Sequence, residues 1–283
     1  MSTLTQSTSG PTPAQWEAIE REEHDRVYAH MDPFDGLTAR IDPARVMVWE
    51  DYCYKAGARP DRGHRTRRLL ELMDIENIAG KRVLDVGCGI GQYSVFLAMK
   101  GANVTAFDIS PVGIERARAL AKINGVESNC SFEVANAAAM PYAEGTYDYV
   151  IFHEVLHHAI KYPGVREETL RVLKPGGRVV ISETLRGNAL LSLARRYTMA
   201  GGEAKGDVIL EVEDLRSFTE GFSAYRIEPM SLLFMLKRVF QSRTRNPLVR
   251  LLLRGAKLAD DVLLSAFPSL RHLCGECVMI MRK

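Results

Sequence analysis

An α/β fold is predicted for this chain: a parallel, doubly wound sheet with helices on both faces and helical additions before and after it. Two observations carry the prediction. Between residues 81 and 183, short apolar runs alternate with amphipathic segments of helical period, the order that strand–helix–strand units impose on a parallel sheet. The first run, Val83-Leu84-Asp85-Val86, breaks into Gly87-Cys88-Gly89-Ile90-Gly91 ahead of an amphipathic segment over 92–100. Glycines at alternate positions let the backbone turn tightly and let a ligand lie against bare main chain.

Local signals justify each element. Residues 1–13 are rich in Ser, Thr and Pro without an apolar run, and are expected to form a disordered lead-in rather than a signal peptide. A helical extension is expected over 14–80. Its first helix, 14–30, offers Trp16, Ile19, Val27 and Tyr28 for burial, and Asp32-Pro33 and Asp42-Pro43 punctuate the stretch after it. A second helix is expected from Pro43 to about Lys55, with Val46, Trp49 and Tyr52 at helical spacing, and a short one over 65–73. The core, 81–183, should hold strands at 82–86, 103–107, 131–134, 147–152 and 177–183. A helix over 111–124 starts on Ser110-Pro111, a hydroxyl cap followed by a proline at the first helical position.

Residues 184–221 lack strand signals and are expected to form a cap of two helices over a ligand pocket. The part from 222 to 283 should complete the core with strands at 222–228 and 274–281. Between them lies an apolar insertion, 232–273, that also carries Lys237, Arg238, Arg243, Arg245, Arg250, Arg254 and Lys257. It reads either as cover for a sheet edge or subunit contact, or as a basic amphipathic surface for anionic lipid.

Composition narrows the function classes. Of 283 residues, 46% are apolar, enough for a sizeable core, and the net charge of +2 gives no case for a nucleic-acid partner. Cys53, Cys88, Cys130, Cys274 and Cys277 are odd in number and scattered, which argues for a reducing compartment and a cytoplasmic protein. Cys274-Gly-Glu-Cys277 has the spacing of a redox or zinc pair. No second pair or histidine cluster completes such a site, so it is read as part of a terminal strand, and no metal is expected. No stretch reaches the ~20 apolar residues of a membrane-spanning helix.

The glycine turn restricts the ligand. Dinucleotide sites use G-x-G-x-x-G, whereas here Gly87, Gly89 and Gly91 are followed by Gln92. Asp85 would repel a pyrophosphate and suits a ligand with a positive end. Ligands of such sheets lie outside the carboxyl ends of the strands, where Asp85, Asp108, Asn136 and His153 are expected.

The run VLDVGCGIG resembles the first motif of class I S-adenosylmethionine-dependent methyltransferases, and four further segments come after it in that family's order. They are 104–110 around Asp108, 132–137 ending in Asn136-Ala137, 147–158 ending in His153-Glu154-Val-Leu-His157-His158, and 171–183 ending in Glu183. The overall plan is similar to the type 11, ubiquinone/menaquinone methyltransferase-like group, in the neighbourhood of natural-product prenyl C-methyltransferases. The resemblance implies a Rossmann-like seven-stranded sheet of order 3-2-1-4-5-7-6 with the last strand antiparallel. It also implies S-adenosyl-L-methionine as cofactor and S-adenosyl-L-homocysteine as product.

By that resemblance Asp108 grips the ribose hydroxyls, with Ile109 beside the adenine. Asp85 holds the methionine portion, Gly87, Cys88 and Gly89 line the cofactor, and His153 packs on it. Gly91 is read as serving helix packing. Asn136 and Ala137 reach the adenine; many relatives have Asp at the first position, and Asn keeps a carbonyl acceptor, although it also reads as a turn closer. His157, Glu154 and His158 are the candidate catalytic groups, since imidazole titrates near neutrality. In sterol and prenyl C-methyltransferases a glutamate on this loop is sometimes followed four residues later by histidine, the spacing of Glu154 and His158. Tyr28, Trp49 and Tyr197 are candidate substrate-wall aromatics, although for any one of them ordinary core is the simpler reading.

The expected function is methylation of a hydrophobic small molecule, prenylated, terpenoid or lipid-like, with carbon, oxygen and nitrogen acceptors all open. The alternatives are a lipid- or glycan-linked substrate recruited by the C-terminal insertion, with membrane contact possible but not required, and a cofactor-binding regulator. A homo-oligomer is expected, built through the N-terminal helix.

Overall fold

The computed structural model describes residues 12–30, 41, 63–187, 208–240 and 246–283. Seven strands form one sheet: β1 (Arg82–Val86), β2 (Asn103–Asp108), β3 (Cys130–Val134), β4 (Tyr147–His153), β5 (Leu173–Thr184), β6 (Ala224–Met230) and β7 (Glu276–Arg282). Their order is β3-β2-β1-β4-β5-β7-β6, with β7 antiparallel to both neighbours. The described helices are α1 (Pro13–His30), α2 (Gly63–Leu72), α3 (Gln92–Met99), α4 (Pro111–Ile123), α5 (Leu156–Ala159), α6 (Val165–Val172), α7 (Val212–Phe218) and α8 (Pro247–Ala266).

The central strands are apolar on both faces because both faces are covered. Val83, Ile151 and Val180 point to the layer holding Leu70 of α2, Phe96 of α3 and Ile114 of α4. Leu84, Val150 and Phe152 point the other way, to Leu156 of α5, Val172 of α6 and Leu215 of α7. Each such side chain, fully buried, contributes about 1.5–3 kcal/mol of transfer free energy. The period-2 alternation of the strands thus divides the apolar residues between two cores.

Boundaries move where backbone chemistry overrides apolar patterning. β5 starts at Leu173 rather than 177, because Leu173 pairs with Tyr147 before the register resumes at Tyr149 and Arg178. The intervening Lys174-Pro-Gly-Gly177 bulges out, with Gly176 in the left-handed region at φ 76°. β6 and β7 each lie two residues later than expected at their starts. At α4, the Ser110 hydroxyl accepts from Gly113 N at 3.0 Å, as the cap signal required.

Of the expected cap, α7 is described, while 188–207 and Tyr197 lie outside the described residues. The expected helix over 43–55, with Trp49, lies outside them too. The insertion folds as a 3-10 turn (Phe234–Arg238), α8, and a second 3-10 turn (Pro268–Leu273). Cys274 and Cys277 are buried, unbonded thiols, the second within β7. Burial pushes the Cys274 thiol up to about 12 and Cys277 further, so both are protonated, apolar parts of the strand region.

Phe152 is fully buried, its ring edge-on to Phe218 at 6.0 Å. Phe152→Ala is expected to cost about 3–5 kcal/mol through lost transfer and the cavity left behind. Urea denaturation should show a lower midpoint at unchanged slope; a loss below about 1 kcal/mol would contradict this packing of the core.

Candidate active site

The site is built at the carboxyl ends of β1, β2, β4 and β5. After β1 the chain turns through Gly87, Gly89 and Gly91 at φ 66°, 55° and 78°, a region open to glycine without strain. The three meet different neighbours. A Cβ on Gly87 would lie 2.2 Å from Val155 of the loop after β4, and one on Gly91 2.6 Å from Ala117 of α4. One on Gly89 would lie 3.0 Å from the Tyr28 hydroxyl. Gly91 therefore serves helix packing, Gly87 admits the loop after β4, and Gly89 faces α1.

Two carboxylates lie beneath the turn. Asp108 Oδ2 accepts from Gly89 N at 2.8 Å and its Oδ1 from Ser110 N at 2.9 Å, so it braces the turn against the start of α4. Each oxygen keeps a second lone pair for a ligand hydroxyl. Asp85 is buried and accepts from the Ser94 hydroxyl at 2.5 Å. Burial pushes its pKa up to about 7, despite the Ser94 hydrogen bond and with help from the charge of Asp108. Burial likewise raises Asp108. Cys88 carries the turn onto β2 through its N–H on Phe107 O at 2.9 Å, and its thiol is pushed well above the usual range by burial. Ile109 is half-buried next to Asp108.

Asn136 closes the turn after β3: its Oδ1 accepts from Ala138 N at 2.8 Å and keeps a second lone pair, while Nδ2 donates to Glu17 of α1 at 2.6 Å. An Asn side chain readily caps its own turn in this way. Ala137 packs beside it against the core layer that holds Leu84 and Phe152.

The loop after β4 separates its titratable groups. The His153 ring lies against Tyr93 at 4.0 Å and a 31° tilt, with Nε2 3.3 Å from the Thr66 hydroxyl. Burial and Arg65 push its pKa down to about 3, so it is neutral. Glu154, in the left-handed region at φ 57°, forms an ion pair with the buried Arg65 guanidinium. Arg65 also donates to Thr184 Oγ1 at 3.2 Å and lies 4.0 Å from Glu276. α2 therefore engages both groups, Thr66 meeting His153, expected to pack on the cofactor, and Arg65 pairing with Glu154, a catalytic candidate, because Arg65 and Thr66 are adjacent on its buried face.

Of the two candidate histidines, His158 lies against His24 of α1, and His157 has a partner that motif reading left unassigned. Its Nδ1 donates to Glu183 Oε2 at 2.9 Å, and the other oxygen of Glu183 accepts from Leu156 N at 2.6 Å. Burial pushes Glu183 up, but His157, Arg65 and Leu156 N–H outweigh it and hold the carboxylate below its usual range. The sheet order contains the signal: β4 and β5 are neighbours, with His153 opposite Ser182, so the end of β5 lies beside the loop after β4.

α1 lies across these groups on its polar side. Tyr28 covers Gly89 and Gly113, and Asp25 accepts from the Ser110 hydroxyl and from Val112 N at 3.4 Å. His24 meets the edge of His158 at 5.0 Å. Glu20 pairs with Lys161, accepts from the Tyr162 hydroxyl at 2.9 Å, and lies 3.9 Å from His158. Ile19 and Val27, expected to be buried, are exposed. The strand ends present hydroxyls, an amide and a cation, so the acidic side of α1 docks. α1 packs on the core of its own chain, and Tyr28 stands at the glycine turn.

A glycine turn beside two buried carboxylates fits a ligand that carries positive charge and vicinal hydroxyls. Residues 78–213 match the family described as a methyltransferase domain. That match spans just under half of the chain, and over it the core is similar to class I methyltransferase domains. The cofactor of that class is S-adenosylmethionine, which leaves as S-adenosylhomocysteine. The chain is 39% identical over 119 residues to methyltransferase GfsG of Streptomyces halstedii, covering 42% of each. It is 32% identical over 152 residues to a chloroplastic tocopherol O-methyltransferase of Arabidopsis thaliana, covering 47% of this chain and 44% of that one. It thus spans less than half the length of these relatives.

Among solved structures, the [4+2]-cyclase SpnF matches over 97% of both chains with a TM-score of 0.57 at 19% identity. A phosphoethanolamine N-methyltransferase of Haemonchus contortus matches over 76% of this chain and 51% of that one, at TM-score 0.54 and 21% identity. These likenesses show the shared fold. A fold that serves a cyclase and a methyltransferase leaves the reaction to the site residues.

The methyltransferase core gives Asp85 two opposing roles. An ordinary Asp titrates near pH 4, so with Asp85 raised to about 7 the ligand-free native state holds a proton that the unfolded chain has released. Native stability is therefore lost as pH rises through that window. A cationic ligand favours the carboxylate and reverses the preference. Asp85→Asn is expected to stabilise the ligand-free protein at pH 8 while weakening S-adenosylmethionine about tenfold or more, a loss of about 1.4 kcal/mol. Thermal unfolding and titration calorimetry read the two effects; a stabilised variant with unchanged affinity would contradict the assignment.

Proposed function

We propose that the protein methylates an oxygen nucleophile on a hydrophobic small molecule, with His157 as general base oriented by Glu183. The observation that carries this reading is the 2.9 Å hydrogen bond from His157 Nδ1 to a fully buried carboxylate. Glu183 fixes the tautomer with the proton on Nδ1, leaving Nε2 to take the hydroxyl proton, and its charge stabilises the imidazolium that forms. Imidazole titrates near neutrality, where base catalysis is efficient. The bound cofactor supplies a methyl group on a sulfonium, already a good leaving group. What this chain adds is alignment, water exclusion under α1, and a place for the proton.

A carbon acceptor is less well supported. The carboxylate that would face a carbocation, Glu154, is neutralised by Arg65. A regulator that only binds the cofactor has no use for an oriented imidazole. A hydrophobic acceptor is supported by the names of the relatives, which include tocopherol and ubiquinone O-methyltransferases and a 27-O-demethylrifamycin methyltransferase.

His157→Ala and Glu183→Gln should each lower kcat by about 10²–10⁴-fold while S-adenosylhomocysteine binding stays within threefold. Incubation of cell extract with methyl-labelled S-adenosylmethionine, then NMR of the product, should place the label on oxygen. A label on carbon, or full activity in His157→Ala, would overturn the reading.

A further inference from the structure

Among the described residues, the exposed large apolar side chains are concentrated in the C-terminal insertion. Along α8, Leu248, Leu251, Leu252, Leu258 and Val262 recur at helical spacing on one side and are exposed, Leu248 to 75% and Leu251 and Leu258 to 67%. The opposite side, Leu253, Ala256, Asp260 and Leu264, is buried. α8 thus carries an exposed apolar stripe opposite the side that meets the protein. Monomeric proteins rarely leave contiguous apolar faces of this kind without a partner.

The neighbouring 3-10 turn extends the surface. The Asp260 carboxylate accepts from Leu232 N at 2.8 Å, Leu233 N at 2.7 Å and Phe234 N at 3.0 Å. This buried acid ties the turn to α8 and leaves Leu233, Leu236 and Val239 exposed beside it.

Charge identifies the occupant. Residues 232–273 hold eight Lys and Arg against two Asp, a net of +6 in a chain whose total is only +2. Both acids are engaged, Asp260 by backbone and Asp261 by Lys257 at 2.8 Å. Arg250 and Arg254, one turn apart and exposed, flank the leucine stripe. A second copy of the chain would bring one +6 segment against another, which is unfavourable. A surface that is apolar inside and anionic at its boundary satisfies both features. Among the described residues no helix is long and apolar enough to cross a membrane, so the geometry is that of a helix lying in the interface.

We propose that α8 docks the protein on an anionic phospholipid bilayer, with its leucine stripe at the acyl boundary and Arg250 and Arg254 on the lipid phosphates. β6 runs parallel to β1, and the 3-10 turn comes after its carboxyl end. The docked surface therefore adjoins the sheet edge that carries the active site. The lipid contact stands independently of the methylated atom.

Co-sedimentation of the full chain with vesicles tests it. At low salt, phosphatidylcholine vesicles with a third of their lipid as phosphatidylglycerol should retain at least tenfold more protein than pure phosphatidylcholine, and high salt should abolish the difference. Leu251→Glu with Leu258→Glu, and Arg250→Glu with Arg254→Glu, should each lower retention at least tenfold with S-adenosylhomocysteine binding intact. Leu258→Cys carrying an environment-sensitive fluorophore should shift to the blue on anionic vesicles, a readout that does not depend on how well the charged variants fold. Absence of wild-type binding, equal binding to both vesicle types, or an unshifted label would overturn the proposal. So would a stable dimer that buries the α8 stripe and ignores vesicles.

Discussion

A carboxylate buried at the end of a strand must be met by donors, because leaving it unpaired costs several kcal/mol. Glu183 at the end of β5 is met from the loop after the adjacent strand, by Leu156 N–H and by His157. That requirement shapes the loop. The backbone turns sharply at Glu154, in the left-handed region, and the next residues come back over the end of β5. Arg65 completes the arrangement from α2: it pairs with Glu154, reaches Thr184 beside Glu183, and helps hold Glu183 ionised. Glu183 thus decides which histidine is oriented, and Arg65 which glutamate is withdrawn.

The glycine turn obeys the same logic on the other half of the site. Asp108 satisfies the N–H of Gly89 and of Ser110, so the turn is preorganised by a group that also remains able to accept ligand hydroxyls. Asp85 has a single hydroxyl donor from Ser94, and its burial is correspondingly costly. A site that holds an unfavourable carboxylate in the ligand-free state gains affinity for a cation that relieves it. α1 closes over this region through hydrogen bonds and ion pairs, a weaker and more reversible form of attachment than the apolar contact of the strands.

Much of this was legible in the sequence, and the reasons differ by element. The alternation of apolar runs and helices specifies a parallel sheet with both faces covered, and the spacing of Gly87, Gly89 and Gly91 with Asp85 distinguishes the turn from a dinucleotide site. The order of the strands and the antiparallel β7 came from resemblance rather than from periodicity. Side-chain partners across the sheet were not legible, since Glu183 and His157 are 26 residues apart and meet only because β4 and β5 are neighbours. The pairing of Glu154 with Arg65 was hidden for the same reason, across 89 residues. α1 misled through its apolar residues: Ile19 and Val27 suggested the buried side, whereas the polar strand ends select Glu17, Glu20, His24 and Asp25. Asn136 resembled a ligand contact and closes its own turn, a local hydrogen bond that competes with any longer-range role.

The chemistry of the site turns on the tautomer that Glu183 imposes on His157. Nitrogen NMR of protein labelled in its histidines, with His157→Gln used for assignment, reads this directly. At neutral to mildly alkaline pH His157 should carry its proton on Nδ1, with a strongly deshielded proton signal that is lost in Glu183→Gln. A neutral His157 protonated on Nε2, or a spectrum unchanged by Glu183→Gln, would contradict that assignment.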